Sequence, residues 1–214
     1  MAKLKIEHFI VGPIMTNCYF AINEETNEAL VIDPGAAGQA LCEKLEEEHI
    51  TPVAVLLTHG HFDHADNAEM VADHFGIKIY VHEAERETMA NPMINLSGTM
   101  GRTPAAYRGD VWVKDNETLE LAGFKIKVLF TPGHTPGGCC FYLEDEKAVF
   151  VGDTLFNDSV GRTDFPGGSE ATLLRSIKNK LMTLDDSVSV FPGHNETTTI
   201  GAERMYNPFI TMRI

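Results

Sequence analysis

The sequence predicts an α+β fold in which two β-rich layers are covered by helices on their outer faces. Strand patterns precede helical patterns in both halves of the chain, and no internal repeat or low-complexity linker separates the halves. Sheets and helices that are each apolar on one side bury those sides most simply by stacking in layers. At 214 residues the chain is long enough for one compact core. We therefore expect a single domain over residues 1–214.

The first half of the chain alternates between strands and helices. The predicted strands cover residues 3–11, 18–23, 29–33, 53–57 and 78–81. The helices cover residues 39–48, 67–75 and 83–90, and the apolar period places Met70, Val71 and Phe75 on the inner stripe of the second. Residues 91–115 show no regular pattern, and a stretch of this length is typical of a functional flap.

The second half repeats the arrangement with four strands and two helices. The strands cover residues 125–131, 139–143, 148–151 and 188–191. One helix covers residues 170–181 with Ser169 as its cap, and the other covers residues 198–206 before Asn207-Pro208 ends it. Cys139 and Cys140 are adjacent in a strand, so their side chains should face opposite sides of the sheet.

Composition and charge exclude several classes of function. Lys and Arg number 17 against 31 Asp and Glu, a net charge of −14, which counts against a nucleic-acid partner. No apolar run is long enough to span a bilayer, and the first residues do not resemble a signal peptide. None of the four cysteines forms a C-x-x-C pair, which disfavours a cysteine zinc site. Because free cysteines are commonly buried, we expect reduced and mostly buried thiols. We expect a cytoplasmic protein without a membrane or nucleic-acid partner, as a monomer or small homo-oligomer.

Metal-ligand side chains follow four of the apolar strands as each strand ends. Residues 53–57 lead into Thr58-His59-Gly60-His61, and residues 125–131 lead into Pro132-Gly133-His134. Gly152-Asp153 and Gly193-His194 follow two further strands. Each of the last three sites is weak evidence alone, but loops at one edge of a packed sheet pair can converge on one pocket.

The densest cluster is His59, His61, Asp63 and His64, four ligand-type side chains within six residues. A loop can direct His59 and His61 at one ion and Asp63 and His64 at a neighbouring ion. Imidazole and carboxylate ligands together favour zinc, iron or manganese over calcium or magnesium. A short tract this rich in histidine is typical of metal binding.

In this combination the sequence resembles the metallo-β-lactamase superfamily over essentially its whole length. The resemblance implies a four-layer αββα sandwich and two divalent metal ions per chain, with zinc the expected metal and iron or manganese alternatives. It implies one metal held by His59, His61, His134 and Asp153, and a second held by Asp63, His64, His194 and Asp153. It also implies that Asp33 supports these ligands, and that Asp63, His64 and Asp153 are the catalytic residues.

Within the superfamily the chain is most similar to hydroxyacylglutathione hydrolase, or glyoxalase II, and its short relatives. The matching stretches are Thr16–Tyr19, Thr131–Gly137 and Gly152–Phe156. Penicillin-hydrolysing members usually carry Cys where Asp153 stands, which disfavours β-lactam hydrolysis. Residues 161–165 lie where the family has a substrate-contacting loop, so Arg162 and Phe165 are candidate substrate contacts. The alternative for Arg162 is a salt bridge to a nearby acid such as Asp164.

The resemblance implies thioester hydrolysis, for example of S-lactoylglutathione, by attack of a metal-bridging hydroxide. Full-length glyoxalase II adds a C-terminal helical domain that contacts glutathione, and we expect no such separate domain here, which leaves the thiol carrier open. Persulfide dioxygenases are also similar to this chain, and they would hold one iron through His59, His134 and Asp153. Lactone or other ester hydrolysis, a non-catalytic metal scaffold and a nuclease are further alternatives, and the charge disfavours the nuclease.

Overall fold

The structure, a computed structural model, describes residues 3–101 and 103–211. Two six-stranded sheets pack face to face, and helices cover the outer face of each sheet. This arrangement confirms the predicted αββα sandwich. The two termini of the predicted 1–214 domain, and Arg102 within the irregular stretch, lie outside the described residues.

The first sheet runs in sequence order from its edge. Its strands are β1 (Leu4–Val11), β2 (Thr16–Asn23), β3 (Glu28–Ile32), β4 (Thr51–Leu56), β5 (Lys78–His82) and β6 (Val111–Val113). The three strands β1 to β3 pair antiparallel, whereas β3 to β6 pair parallel. Parallel strands leave their carboxyl ends on a common edge, and that edge is where β3 and β4 deliver Asp33 and His59.

The second sheet has a different strand order. Its strands, from one edge to the other, are β14 (Thr198–Thr199), β13 (Ser189–Pro192), β10 (Ala148–Gly152), β9 (Cys139–Leu143), β8 (Phe124–Phe130) and β7 (Thr118–Leu121). Strand β10 is parallel to β13, and both β8 and β10 are antiparallel to β9. The strands that precede His134, Asp153 and His194 therefore all point the same way. A small hairpin, β11 (Leu155–Phe156) with β12 (Ser159–Val160), follows Asp153.

Helices lie on both outer faces. They are α1 (Gly38–Glu47), α2 (Phe62–Ala65), α3 (Ala68–Phe75), α4 (Arg86–Ala90), α5 (Glu170–Ser176), α6 (Ile200–Tyr206) and α7 (Pro208–Thr211). A 3-10 turn over Glu83–Glu85 leads into α4, and a π-helical turn over Ile177–Leu181 continues α5. Among the described residues, no helix combines the length and apolarity that crossing a bilayer requires.

Three apolar clusters fill the spaces between the four layers. The inner cluster joins the two sheets, and Tyr19 and Phe141 are among its fully buried members. A second cluster packs the first sheet against α1 and α3, and a third packs the second sheet against α5 and α6. Cys139 belongs to the inner cluster and Cys140 to the third cluster, beneath α5 and α6. This confirms that the two neighbours face opposite sides of the sheet.

Several elements differ from the prediction. Strand β6 lies inside the stretch predicted to be irregular, and β7, β11, β12 and α2 are too short for a sequence period to reveal. Residues 198–199 form an edge strand rather than the first turn of the last helix. Met70 was predicted to face inward but is 51% exposed, whereas its neighbour Val71 is fully buried. The helix turns Val71 and Ala72 inward, which rotates Met70 to the surface.

Candidate metal centre

All seven predicted ligands converge at one edge of the sandwich. Three groups of side chains each bring their ligand atoms within 4.8 Å of one another: His59 with His61 and His134, His59 with His64 and Asp153, and Asp63 with His64 and His194. Four of the ligands follow β4, namely His59, His61, Asp63 and His64. The other three follow β8, β10 and β13, and they are His134, Asp153 and His194 respectively. The centre therefore draws ligands from both sheets.

The single helical turn α2 begins within residues 59–64, so the ligands of this run point in two directions. His61 has an extended backbone and stands directly before α2, which carries Asp63 and His64. The Phe62 amide donates to the Asn95 carbonyl at 2.9 Å, which fixes the start of the turn against the loop after α4. Extended backbone before the turn and helical backbone within it direct His61 and His64 to different sides of the centre.

His61 and His134 face each other at the first side of the centre. The His134 Nδ1 lies 2.7 Å from the Arg162 carbonyl oxygen, which can only accept, so Nδ1 carries the proton and Nε2 presents a lone pair. That Nε2 is 3.0 Å from His61 Nδ1. Two ligand nitrogens on a tetrahedral zinc ion are about 3.3 Å apart, given Zn–N bonds of about 2.0 Å. The pair therefore has the spacing of two ligands on one ion.

Asp153 lies between the two groups of ligands. Its Oδ1 is 3.4 Å from His64 Nε2, and its Oδ2 is 3.4 Å from His134 Nε2 and 3.6 Å from His194 Nε2. On the second side, Asp63 Oδ2 lies 3.5 Å from His64 Nε2 and 3.3 Å from His194 Nε2. One carboxylate thus faces both groups, as a bridging ligand must.

Asp33 supports the centre from behind. Its carboxylate accepts hydrogen bonds from the Thr58 amide at 2.8 Å and the Thr58 hydroxyl at 2.7 Å. It also accepts from His64 Nδ1 at 3.0 Å, which leaves His64 Nε2 free to face Asp63 and Asp153. An outer carboxylate that fixes the tautomer of a metal-binding histidine is a common arrangement in metal sites. The sequence resemblance implied this supporting position for Asp33.

The centre divides electrostatically into two halves. Burial lowers the pKa of His59 well below its usual value, and burial together with the neighbouring His134 lowers the pKa of His61 to about 3. Burial also opposes the charged form of His64, but the carboxylates of Asp63 and Asp153 outweigh it and raise the His64 pKa. His59 and His61 therefore stay neutral with free lone pairs, whereas the carboxylates of Asp63 and Asp153 favour the charged form of His64.

The buried polar atoms at the centre indicate that a cation belongs there. Among the described residues, His59 Nε2, His64 Nε2 and Asp153 Oδ1 are buried and make no hydrogen bond. Buried polar groups without partners destabilise a fold, and buried carboxylates need a compensating positive charge. Imidazole and carboxylate donors in this proportion suit zinc, iron or manganese. The residues therefore fit the two divalent cations that the sequence predicts.

Two glycines allow the ligand loops to approach this closely. Gly152 has a φ of +49°, and a Cβ there would lie 2.2 Å from the Thr58 hydroxyl. A Cβ on Gly193 would lie 2.3 Å from Asp153 Oδ1 and 2.6 Å from the His64 ring. A larger residue at Gly193 would displace a candidate ligand, and one at Gly152 would displace Thr58, which directly precedes His59.

Sequence reasoning missed a buried carboxylate that joins the two main ligand loops. Glu85 is fully buried and accepts hydrogen bonds from the Gly60 amide at 3.1 Å, the Gly137 amide at 2.7 Å and the Thr135 hydroxyl. Gly60 lies between His59 and His61, and Thr135 follows His134. Burial raises the pKa of Glu85, although these hydrogen bonds oppose the shift. Nothing in the local pattern of residues 83–90 distinguishes Glu85 from an exposed helix acid.

A cavity of about 390 Å³, hereafter the reaction cavity, opens over the centre. His61, Asp153 and His194 lie in its wall together with both predicted substrate contacts, Arg162 and Phe165. The Arg162 guanidinium lies over the Phe165 ring, 4.0 Å from its centroid, and pairs with both carboxylate oxygens of Asp164 at 2.7 and 2.6 Å. The salt bridge considered as the alternative for Arg162 is therefore present, at the mouth of the cavity.

The family model described as the metallo-beta-lactamase superfamily matches residues 11–194, a span that contains all seven candidate ligands. The probable metallo-hydrolase YqgX of Bacillus subtilis is 38% identical, over 97% of this chain and 98% of that protein. Hydroxyacylglutathione hydrolase GloC of Haemophilus influenzae is 36% identical, over 98% of this chain and 100% of that protein.

Solved structures agree with these sequence relatives. BLEG-1, described as a B3 metallo-beta-lactamase, superposes with a TM-score of 0.92 at 39% identity, over 97% of this chain and 100% of that chain. TTHA1623 in a di-iron-bound form gives 0.84 at 31% identity, over 95% and 99% of the two chains. ETHE1 from Myxococcus xanthus gives 0.76 at 25% identity, over 95% and 83%.

Proposed function

This chain belongs to the metallo-beta-lactamase superfamily, and on that premise we propose that it is a binuclear metal-dependent hydrolase of thioesters such as S-lactoylglutathione. The observation that carries the proposal is the position of Asp153, whose two carboxylate oxygens face His64 on one side and His134 on the other. A bridging carboxylate serves a pair of ions better than a single ion. The similarity to GloC, a hydroxyacylglutathione hydrolase, supports the substrate class.

The protein groups would hold the ions in two sets joined by Asp153. His59, His61 and His134 form one set, and Asp63, His64 and His194 form the other. Two divalent ions bound here supply a water of lowered pKa and positive charge for an acyl oxygen. The remaining roles fall to the chain itself.

Asp63 is placed to orient the attacking water. It lines the reaction cavity, and its Oδ2 already accepts a hydrogen bond from the Thr16 hydroxyl at 2.9 Å. Burial opposes ionisation of Asp63, but His64 and His194 outweigh it and lower the Asp63 pKa to about 2. The carboxylate therefore stays ionised and can accept a hydrogen bond from the attacking water. Because a thiolate is a good leaving group, the chain needs no strong general acid for it.

Arg162 and Phe165 would receive the thiol side of the substrate. They line the same cavity as His61, Asp153 and His194. The Arg162 side chain is 56% exposed, pairs with Asp164 and lies over the Phe165 ring, so an incoming carboxylate can compete for the guanidinium at little cost. A thiol that carries a carboxylate, such as glutathione, satisfies this requirement.

Two other activities have specific support and can be separated by experiment. The resemblance of the sequence to persulfide dioxygenases keeps a mononuclear-iron enzyme open, with iron on His59, His134 and Asp153. The similarity to BLEG-1 makes a β-lactam the second hydrolytic substrate to test, although Asp153 stands where many penicillin-hydrolysing members have Cys. A lactone or another ester is the third hydrolytic substrate class.

One experiment tests all of these. Purified protein is assayed against S-lactoylglutathione, a lactone, a cephalosporin and glutathione persulfide with oxygen uptake, and its metal content is measured on the same sample. The expected result is thioester hydrolysis with two metals per chain, lost on chelation and restored by added zinc, iron or manganese. One iron per chain with oxygen uptake would replace the proposal by the dioxygenase. Undiminished hydrolysis in fully chelated protein would rule out a metal-dependent mechanism.

A further inference from the structure

A second cavity lies beside the reaction cavity and shares part of its wall. It measures about 470 Å³, hereafter the side cavity, and falls within the range typical of ligand pockets. Four residues line both cavities: Ile14, Phe62, Asp63 and Met100. A molecule whose reacting carbon lies at the metal centre can therefore extend past Asp63 into this space.

Most residues in the walls of the side cavity are apolar or glycine, and several of the polar side chains there already have partners within the protein. Asn67 Oδ1 accepts from the Gly38 amide at 2.7 Å, and the Tyr107 hydroxyl donates to Asp66 at 3.2 Å. Ser97 Oγ donates to the Ala105 carbonyl at 3.1 Å and accepts from the Ala105 amide at 2.9 Å. Because these groups are satisfied within the protein, an apolar ligand leaves none of them without a partner.

Exposed apolar side chains are frequent on the two segments that form much of the wall of the side cavity. Of the nine large hydrophobic side chains exposed in the described part of the chain, five lie on the two segments that flank the side cavity: Ile10, Ile14, Met15, Met93 and Met100. Scattered exposed apolar residues are ordinary, but a concentration beside a cavity marks a ligand-binding groove. Methionine also adapts its shape to chains of different length.

The two ends of the combined cleft thus differ in chemistry. The guanidinium of Arg162 lies at one end, and apolar walls with the carboxylate of Asp66 lie at the other. The charged groups among the described residues favour anionic parts of a substrate at the first end and disfavour them at the second.

From this difference we infer that the side cavity binds the acyl chain of the substrate, and that this chain is an uncharged aliphatic group longer than lactoyl. The inference rests on the proposed thioester hydrolysis. The reaction is unchanged by it: water adds to the acyl carbon, the carbon–sulfur bond breaks, and a carboxylic acid and a thiol are released. What the side cavity adds is selectivity for the acyl group.

The test compares glutathione thioesters of increasing chain length, S-butanoyl, S-hexanoyl and S-octanoyl, with S-lactoylglutathione as the reference. If each added methylene is buried in the side cavity, kcat/KM rises about fourfold per methylene until the cavity is filled. A parallel series carries the alkyl chain on the thiol, as lactoyl thioesters of butanethiol and octanethiol. The inference expects little gain in that series.

Two substitutions fill the side cavity without touching a candidate ligand. Ala105→Phe and Thr103→Phe each place a ring in its wall, and Thr103 is exposed, so its replacement tolerates the added volume. Each is expected to lower the octanoyl-to-butanoyl ratio of kcat/KM by about tenfold, because the longer chain loses its space. The matched control is Ala106→Phe, which is exposed in the same loop but does not line the cavity.

The possible outcomes are distinct. A flat chain-length profile with active S-lactoylglutathione hydrolysis overturns the inference and leaves the proposed function standing. A ratio that neither filling variant changes, with wild-type thermal unfolding for both, also overturns it, as does a response confined to the thiol-side series. If no thioester of any length is hydrolysed, the proposed function fails and this inference fails with it.

Discussion

The groups behind the candidate ligands form what we call the inner wall of the reaction cavity, and the exposed residues at its mouth form the outer wall. The two walls are held in place in different ways. On the inner wall, Asp33 and Glu85 are buried, and each accepts at least three hydrogen bonds from the loops that carry the ligands. On the outer wall, Arg162 and Asp164 are exposed and held mainly by each other. Buried ionic hydrogen bonds fix geometry, whereas exposed ion pairs are weak and easily exchanged. The inner wall thus suits fixed ligands and the outer wall suits an exchangeable substrate.

The largest expected effect comes from removing the ligand that faces both sets. Asp153→Ala should lower kcat/KM by about a thousandfold or more, because Asp153 faces both sets of candidate ligands. His61→Ala should have a similar effect on activity. Metal content, measured by elemental analysis, should fall below two per chain in both variants. Asp145→Ala, an exposed acid between β9 and β10, serves as the control; full metal content in Asp153→Ala would contradict the bridging role.

Removing the negative charge behind the ligands should have a smaller effect. Asp33→Asn keeps the size of the side chain but weakens its acceptance from Thr58 and His64. We expect metal affinity to fall by about ten- to a hundredfold, as for other supporting groups of metal sites. Competition with a chromogenic chelator measures it, and activity should return at high metal concentration. Asp145→Asn is the matched control, and an unchanged affinity in Asp33→Asn would show that the carboxylate is dispensable.

Glu85 provides a test that depends on pH. Glu85→Gln places an amide among amide and hydroxyl donors, and we expect a loss of about 1–3 kcal/mol in the free energy of unfolding. Because burial raises the Glu85 pKa above 4.5, the folded protein binds this proton more readily than the unfolded chain. Wild-type stability relative to the variant should therefore increase as the pH falls from neutral toward 4.5.

Denaturant unfolding of chelated protein at several pH values measures this difference free of metal binding. Glu87→Gln, exposed on the same helix, is the control and should show neither the loss nor the pH trend. A difference that grows in the opposite direction with pH would contradict the assignment of the shift to burial.

The smallest effect is expected on the outer wall. Arg162→Ala should raise KM for an anionic thioester by about threefold to tenfold and leave metal content unchanged, because the guanidinium contacts no candidate ligand through its side chain. The defect should shrink at high salt, which screens exposed charges. Arg175→Ala on α5 is a control for loss of a positive charge. A loss of metal in Arg162→Ala would place this residue in the inner wall instead.

The structure brings together the ligand side chains that the sequence predicts, because most of them follow strand ends. Each of His59, His134, Asp153 and His194 comes after an apolar run, and such runs are visible in one sequence. The sandwich followed from the same runs and was confirmed. Ligand side chains cluster close to their strands, so little tertiary information was needed to bring them together.

Other features depend on packing that no local pattern records. The turn of α2 begins where the Phe62 amide donates to the Asn95 carbonyl, a contact between distant parts of the sequence. Glu85 and Glu87 lie two residues apart, but Glu85 is buried and Glu87 is exposed. Strand β6 contains three residues and is held by pairing with β5. Packing also decides the position of Met70. The apolar period predicts an inward position for both Met70 and Val71, and in the structure Val71 is buried while Met70 is exposed.

The position of His194 after β13 has a consequence for how the protein is made. The Gly193 amide donates to the Gly152 carbonyl at 2.8 Å, and the Asn17 amide donates to the Gly193 carbonyl at 2.7 Å, so this ligand is set in place by contacts with both early and late strands. A chain leaves the ribosome from its amino terminus, at about 5–20 residues per second. The last ligand thus becomes available some seconds to tens of seconds after the first. Because β13 and β14 complete the second sheet, the full set of candidate ligands is assembled only when the last strands of the chain have joined the sandwich.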